Sequence, residues 1–179
     1  MILFKHFIHE SDQKLLTAYH GTRGNFDPNE LKPHLGSFGI HIGTMQQAKQ
    51  RGISQIFEIK FKNEGIVNSI FDFHGVIPVD TVKKSLKLGM LTQDEATKFE
   101  TLYNQKAKHL LDTKWAYDNM QVEVQLRTPF HKMIGDFLTK KGYNGVKYIN
   151  RWEGNTKDPN NFSYVLFTNK TIVSIKRIK

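Results

Sequence analysis

Segments that alternate apolar and polar residues lie at both ends of this sequence, whereas segments with helical spacing lie between them. The clearest alternation covers residues 54–62, where Phe57, Ile59 and Phe61 fall on one face. A period of two residues predicts a half-buried strand. Strand-like patterns also occur near residues 17–21, 145–150, 162–167 and 171–178.

Capping signals mark the helices that the sequence predicts. A threonine N-cap and a closing glycine bound a short helix over residues 44–52. Thr92 and Glu95 form a capping box that begins a long helix. Further helices are predicted over residues 78–89 and over residues 129–142, the second starting on a proline and stopping on a glycine.

Residues 120–126 alternate again, and we predict a strand or strand-like turn there. The resulting order is strands, a helical middle and three C-terminal strands. This order predicts an α+β domain with its helices grouped in the middle of the chain. A length of 179 residues fits one domain over residues 1–179.

The composition excludes several classes of protein. The chain has no cysteine, which rules out disulfides, cysteine-based zinc sites and a thiol nucleophile, and favours a reducing cytoplasm. No apolar run approaches the roughly 20 residues that cross a bilayer, and polar residues interrupt the apolar N-terminus before it could form a signal peptide. We therefore expect a soluble cytoplasmic protein without membrane partners.

The charge balance points to an anionic partner. Lys and Arg total 26 against 17 Asp and Glu, which gives a formal net charge of +9. Such a charge favours nucleic acid, a nucleotide or an acidic protein. A basic surface without a specific partner remains the alternative.

Two histidine–glycine clusters, AYHGT at residues 18–22 and FGIHIGT at residues 38–44, are the strongest chemical signal. Glycine lets a ligand approach the backbone closely. The backbone at Gly21 could then pair with a planar amide while His20 bonds a sugar hydroxyl. The histidines match no metal-binding spacing, so we expect no metal site. The clusters predict a pocket for a flat polar ligand.

The sequence offers more than one acid for such a pocket. Glu153 lies in a loop rich in glycine and asparagine after a predicted strand, where a carboxylate could stabilise a developing positive charge. Its alternative role is that of a solvated surface residue. Glu123 is the competing acid, although an exposed edge-strand face is the simpler interpretation of its position. We prefer Glu153.

Familiar nucleotide and hydrolase motifs do not occur. The sequence contains no GxxxxGK[ST] or GxGxxG phosphate loop and no GxSxG nucleophile elbow. Ordinary kinases, Rossmann enzymes and serine hydrolases are therefore unsupported.

Four segments taken in order resemble the ADP-ribosyltransferases, in particular the small histidine-containing branch of phage polyvalent proteins and bacterial toxins. They are YHGT, FGIHIGTMQQAKQR, GYNGVKYINRWEG and SYVLFTNKTIVSIK, whereas residues 67–128 match nothing in the family. The resemblance implies an ADP-ribosyltransferase-like split β-sandwich with a helical insert and a cleft for NAD. NAD would serve as co-substrate.

The resemblance also implies roles for individual residues. His20 and Gly21 would hold the nicotinamide ribose and carboxamide, with Thr22 beside them, and His41 would lie by the nicotinamide. The poly(ADP-ribose) polymerase pattern has a glutamate where this chain has Ser163, which argues against polymer synthesis. In the branch that this chain resembles more, an acid follows the preceding strand, and the residue at that position is Glu153.

These features together predict a mono-ADP-ribosyltransferase acting as a phage or bacterial toxin or defence effector. Its acceptor would be nucleic acid, possibly RNA, or protein, with Arg151, Trp152 and Phe162 near the active loop as a stacking surface or as loop anchors. An antitoxin or inhibitor protein is a further expected partner. The alternatives are a basic nucleic-acid-binding module without catalysis and a non-catalytic NAD-fold domain that binds a partner.

Overall fold

The computed structural model describes residues 15–23, 27, 31, 37–52, 54–73, 75–113, 118–155 and 157–178. The predicted loop at residues 23–36 and the N-terminal piece lie mostly outside these ranges. The strands within them are β1 (Leu15–Thr22), β2 (Ile40–Ile42), β3 (Gln55–Lys62), β4 (Ile66–Ser69), β5 (Gly145–Ile149), β6 (Phe162–Leu166) and β7 (Ile172–Arg177). The helices are α1 (Met45–Arg51), α2 (Pro78–Lys87), α3 (Gln93–Asp112) and α4 (Asn119–Lys140).

The described residues form two sheets, and the predicted α+β class is confirmed. The first sheet has the order β1-β3-β7 and is antiparallel throughout. The predicted half-buried strand is confirmed in β3, because Phe57, Ile59 and Phe61 are each at most 1% exposed. They pack with residues of β2 and β6 in an apolar layer between the sheets.

The second sheet has the order β2-β6-β5-β4, and its β4–β5 pair is parallel. The sequence did not reveal β4. Its four residues read IVNS, and none of them is buried, so neither an apolar run nor a clear alternation marks the strand. Pairing with β5 determines this strand more than its own side chains do.

The helical middle of the chain is confirmed, since α2, α3 and α4 follow one another between β4 and β5. Both predicted threonine caps are present, with complete capping boxes at Thr44 and Thr92. Apolar side chains of the three helices pack against one face of the second sheet, around Met90, Ile134 and Leu138. This group of helices is called the helical insert below.

The predicted strand at residues 120–126 is wrong. These residues belong to α4, which begins after the N-cap Asp118 and continues through Pro129. Val122, Leu126 and Phe130 recur four residues apart and are buried together against α3. This four-residue spacing buries one face of a helix, and its packing outweighs the strand-like alternation of residues 120–126. The predicted helix start at Pro129 is therefore wrong as well, and Glu123 lies on a helix rather than an edge strand.

The sheets meet at an antiparallel bridge between β1 and the residue after β2. The Tyr19 N–H donates to the Gly43 carbonyl at 2.8 Å, and the Gly43 N–H donates to the Tyr19 carbonyl at 2.9 Å. The bridge places the two histidine–glycine clusters side by side, which sequence spacing alone could only suggest.

Candidate functional site

A cavity of about 400 Å³ opens where the two sheets meet. Its walls come from β1, β2, the end of α1 and the loop after β5. The lining residues are His20, Gly21, Thr22, Arg23, Ser37, His41, Arg51, Gly75 and Glu153. The residues that the sequence singled out for a pocket thus converge, although 112 positions separate His41 from Glu153.

His20 is held in a defined orientation at the end of β1. The residue is 3% exposed, and its Nδ1 lies 2.9 Å from the carbonyl oxygen of His41. Because a carbonyl oxygen can only accept, Nδ1 carries the proton in this contact. When the ring is neutral, its Nε2 is therefore the acceptor, which suits a hydroxyl donor.

His41 projects from β2 toward the helical insert side of the second sheet. Its Nδ1 lies 3.4 Å from the hydroxyl of Tyr148, a residue that is fully buried on β5. Burial raises the pKa of the Tyr148 hydroxyl well above its usual value, so the phenol remains protonated and can donate to His41. The ring of His41 is therefore tied to the core on one side and borders the cavity on the other.

Gly21 has a packing reason to be glycine that the sequence did not show. A Cβ atom at this position would lie 1.8 Å from the carbonyl oxygen of Ala48 in α1. Gly43 is comparable, since its Cβ would lie 1.7 Å from Oε1 of Gln47. The glycines of both clusters let α1 lie against the sheet junction, and this positions Arg51 at the cavity.

Glu153 is the only carboxylate among the described lining residues, and it is anchored rather than solvated. Its Oε2 accepts from Arg51 Nε at 2.7 Å, contacts Arg51 Nη2 at 2.5 Å and accepts from Asn150 Nδ2 at 3.0 Å. The side chains of Arg51 and Glu153 are 14% and 16% exposed. The alternative of a solvated surface glutamate is therefore wrong for this residue.

A buried amide network lies beneath the loop that carries Glu153. The side chain of Gln47 accepts from Ser163 Oγ at 2.8 Å and donates to Asn161 Oδ1 at 2.8 Å. Asn161 Nδ2 in turn donates to the Glu153 carbonyl at 2.6 Å and to the Asn150 carbonyl at 2.7 Å. We call the residues Gln47, Asn150, Asn161 and Ser163 the polar floor of the site; each is at most 2% exposed.

Sequence reasoning missed Arg51, Arg23 and Asn150 as members of the site. Arg51 stands at the end of a short helix, where a basic residue is ordinary, and Arg23 begins a loop. No local pattern distinguishes them from the other cations of a basic chain. Asn150 is part of the segment GYNGVKYINRWEG that carries the family resemblance, and this is the signal that could have identified it.

The predicted stacking residues lie around the same loop. Trp152 is 73% exposed, and Arg151 is exposed beside it. Phe162 is half-buried, and the Lys147 ammonium lies 3.9 Å from the centre of its ring. Trp152 therefore has the accessibility that a stacking residue needs, whereas Phe162 already has a cation over one face.

Glu123 is not brought to the cavity. It lies on α4, where its carboxylate forms a 3.1 Å ion pair with Arg127 one helical turn away, and both side chains are about one-third exposed. Of the two acids that the sequence offered, the preferred Glu153 lines the cavity and Glu123 does not.

Metal and membrane sites find no support in the part of the chain that the structure describes. No group of three or more histidine, aspartate or glutamate side chains there could hold a metal ion. None of the helices in those ranges combines the length and apolarity needed to cross a membrane.

Comparison with known proteins supplies little. No family model matches the chain, and no curated protein matches it. A solved structure described as "Crystal structure of an anti-CRISPR protein" is similar over 92% of this chain and 96% of that chain, with 12% identity and a TM-score of 0.41. A similarity this low carries no argument about the fold or the function of this protein.

Proposed function

We propose that this protein is an NAD-dependent mono-ADP-ribosyltransferase. It would cleave the bond between nicotinamide and ribose and transfer ADP-ribose to a macromolecular acceptor. The observation that carries the proposal is the convergence of His20, Gly21, Thr22, His41 and Glu153 in one cavity. The cavity volume of about 400 Å³ lies within the range of small-molecule sites.

The chain topology supports the same proposal. An ADP-ribosyltransferase-like split β-sandwich needs two sheets that separate around a cleft. Here the sheets join through the Tyr19–Gly43 bridge, and the cavity opens beside it. The helical insert lies between β4 and β5 and leaves this junction to the strands and α1.

The cavity can meet the separate chemical needs of NAD. His20 Nε2 accepts a hydrogen bond from a ribose hydroxyl. The Gly21 backbone pairs with the carboxamide next to Thr22, and His41 lies beside the nicotinamide ring. The guanidinium group of Arg23 favours the pyrophosphate, which it can bind through paired N–H donors, whereas Arg51 is held by Glu153.

The reaction follows from the position of Glu153. When the bond between C1′ and the pyridinium nitrogen breaks, its electron pair goes to that nitrogen and neutral nicotinamide leaves. The ribose then carries oxocarbenium character, which an adjacent carboxylate stabilises. An acceptor nucleophile bonds to C1′ and loses its proton to solvent or to a carboxylate, which completes the transfer.

The identity of the acid favours transfer of a single unit. Ser163 occupies the strand position where the polymerases carry glutamate, and its hydroxyl is committed to the polar floor. Glu153 provides a carboxylate from the neighbouring loop instead. One acid serves one bond cleavage, and nothing in the described cavity offers a second acid for chain elongation.

The acceptor is proposed from charge and exposure. A net charge of +9 favours an anionic macromolecule, and Trp152 and Arg151 are exposed next to Glu153. RNA, DNA and protein acceptors all fit these features. A cytoplasmic setting and an inhibitor protein are part of the same proposal.

The test measures nicotinamide release from NAD, with a cell lysate present to supply acceptors, by the wild-type protein, by Glu153→Gln and by the matched control Glu123→Gln. We expect release by the wild type, a loss of about 10²–10³-fold in Glu153→Gln and no change in the control. Absence of release by the wild type would sink the proposal, and retained RNA binding would then favour the basic nucleic-acid-binding module. Labelled NAD, followed by RNase or protease digestion of the product, identifies the acceptor class.

A further inference from the structure

Asn150 follows β5 directly and is fully buried beneath the cavity loop. Its Oδ1 accepts from the backbone N–H of Trp152 at 2.9 Å and from that of Glu153 at 3.0 Å. Its Nδ2 donates to Glu153 Oε2 and to Ser163 Oγ, both at 3.0 Å. One amide thus holds both the backbone and the carboxylate of the same glutamate.

The orientation of this amide follows from its neighbours. Backbone N–H groups can only donate, so the atom that faces the amides of Trp152 and Glu153 is the oxygen. The nitrogen must then face the carboxylate and the serine hydroxyl. Ser163 Oγ donates to Gln47 Oε1, which leaves it as an acceptor toward Asn150. Every bond in the arrangement has one direction only.

We propose that Asn150 is a positioning residue for Glu153, setting both the turn that projects Glu153 into the cavity and the orientation of its carboxylate. The catalytic consequence rests on the proposed function, whereas the positioning itself does not. Arg51 compensates the charge of the carboxylate, and Asn150 fixes where that charge lies.

Asparagine alone combines what this position needs. Aspartate accepts the two backbone N–H groups but cannot donate to Glu153 when ionised. Serine or alanine is too short to reach both the turn and the carboxylate. A purely structural turn residue could therefore be aspartate at little cost, whereas a residue that positions Glu153 could not.

Several groups besides Asn150 act on the Glu153 carboxylate, and any pH dependence must allow for them. The charged and titratable groups around it are Arg51 on α1, Arg23 and His20 at the end of β1, His41 on β2, Tyr148 on β5 and Asp72 after β4. They are unchanged in an Asn150 variant, so the difference between variant and wild type isolates the contribution of residue 150.

The discriminating variant is Asn150→Asp. It keeps the acceptor for the turn and places a second carboxyl against Glu153, so the pair shares one proton over a range of pH. While the pair holds that proton, residue 150 still donates to Glu153. As the pH rises and the proton leaves, two carboxylates repel each other and Glu153 moves from its place.

The first measurement is a carbon-13 NMR titration of the Glu153 carboxyl in the unliganded protein, assigned by its loss in Glu153→Gln. We expect this carboxyl to titrate at a higher pH in Asn150→Asp than in the wild type. An unchanged titration would overturn the inference, whether or not the protein cleaves NAD.

The second measurement is nicotinamide release between pH 5 and pH 8. We expect the activity of Asn150→Asp relative to the wild type to fall about tenfold or more as the pH rises. A constant ratio would overturn the catalytic consequence. If the wild type releases no nicotinamide while the carboxyl titration shifts as expected, the proposed function fails and the positioning stands.

A double variant covers the case in which Asn150→Asp folds poorly. In Asn150→Asp with Glu153→Gln, the donor and the acceptor exchange places, so the contact between the side chains is restored. We expect a Tm above that of Asn150→Asp alone, without recovery of activity. Strictly additive losses of stability in the two single variants and the double variant would contradict direct coupling of the side chains.

Discussion

The polar floor and the helical insert are stabilised by different kinds of buried contact. Beneath the Glu153 loop, buried amides and a hydroxyl join through directed hydrogen bonds. The helical insert instead packs Met90, Ile134 and Leu138, all fully buried, against the second sheet. Apolar contacts tolerate changes of shape through repacking, whereas an amide network holds one geometry or leaves groups unpaired. The hydrogen-bonded network, which holds one geometry, therefore lies under the candidate site, and the apolar core, which tolerates repacking, lies away from it.

The largest loss of stability is expected in the insert. Leu138→Ala opens a cavity in the apolar core, and we expect the free energy of unfolding to fall by about 2–5 kcal/mol. Val124→Ala on the exposed face of the same helix is the control, with a change within about 0.5 kcal/mol. Urea denaturation measures both. Below the unfolding transition, Leu138→Ala should retain the proposed nicotinamide release, and a loss of that activity would contradict the difference between the two regions.

The corresponding change in the polar floor is Gln47→Leu, which conserves volume and removes the amide. It leaves Ser163 Oγ and Asn161 Oδ1 without their partner, at a cost of about 1–3 kcal/mol. Unlike Leu138→Ala, it should loosen the loop and slow nicotinamide release in the folded protein. Hydrogen exchange at the Glu153 amide reports the loosening directly. Gln93→Leu, at an exposed position in α3, is the matched control, and an equal effect there would refute the specific role of the floor.

The two capping boxes allow the same change in both regions. Thr44→Ala and Thr92→Ala each remove an N-cap hydrogen bond, so each should lower the free energy of unfolding by about 1 kcal/mol. Only Thr44→Ala should slow nicotinamide release, because α1 carries Arg51 to Glu153. Equal losses of activity in both variants would show that the site depends on global stability rather than on α1.

The smallest expected effect concerns pH and belongs to the insert. The hydrogen bond from Lys141, together with the Thr92 backbone N–H, holds the pKa of Glu95 below its usual value. Because the folded pKa is the lower one, this stabilisation is present above the unfolded pKa and is lost as the pH falls through the folded pKa. Glu95→Gln should therefore lower Tm by about 1 °C at pH 7. The difference should disappear once the pH has fallen below the folded pKa of Glu95, and a difference that persists in strong acid would contradict the assignment.

Local patterns predicted the elements whose sequences carry their own signals. The alternation in β3 and the capping boxes of α1 and α3 appear in the structure as expected. The pattern failed in α4, where a local alternation coincided with a spacing of four that buries Val122 and Leu126. It failed again at β4, which is short and exposed and is defined by its partner strand. In both places the secondary structure depends on a packing partner, α3 for α4 and β5 for β4, that lies outside the local sequence.

The sequence by itself determined the α+β class. It also identified the two histidine–glycine clusters and Glu153 as candidate site residues. Tertiary structure decided which of these residues meet. It brought Arg51 to Glu153 across 102 positions, and it packed α1 against the backbone of Gly21. It also separated Glu123 from the cavity and placed Asn150 beneath Glu153. Periodicity and caps act through neighbours in the chain, whereas charge pairing and amide networks act through space, so local periodicity and capping signals do not reveal them.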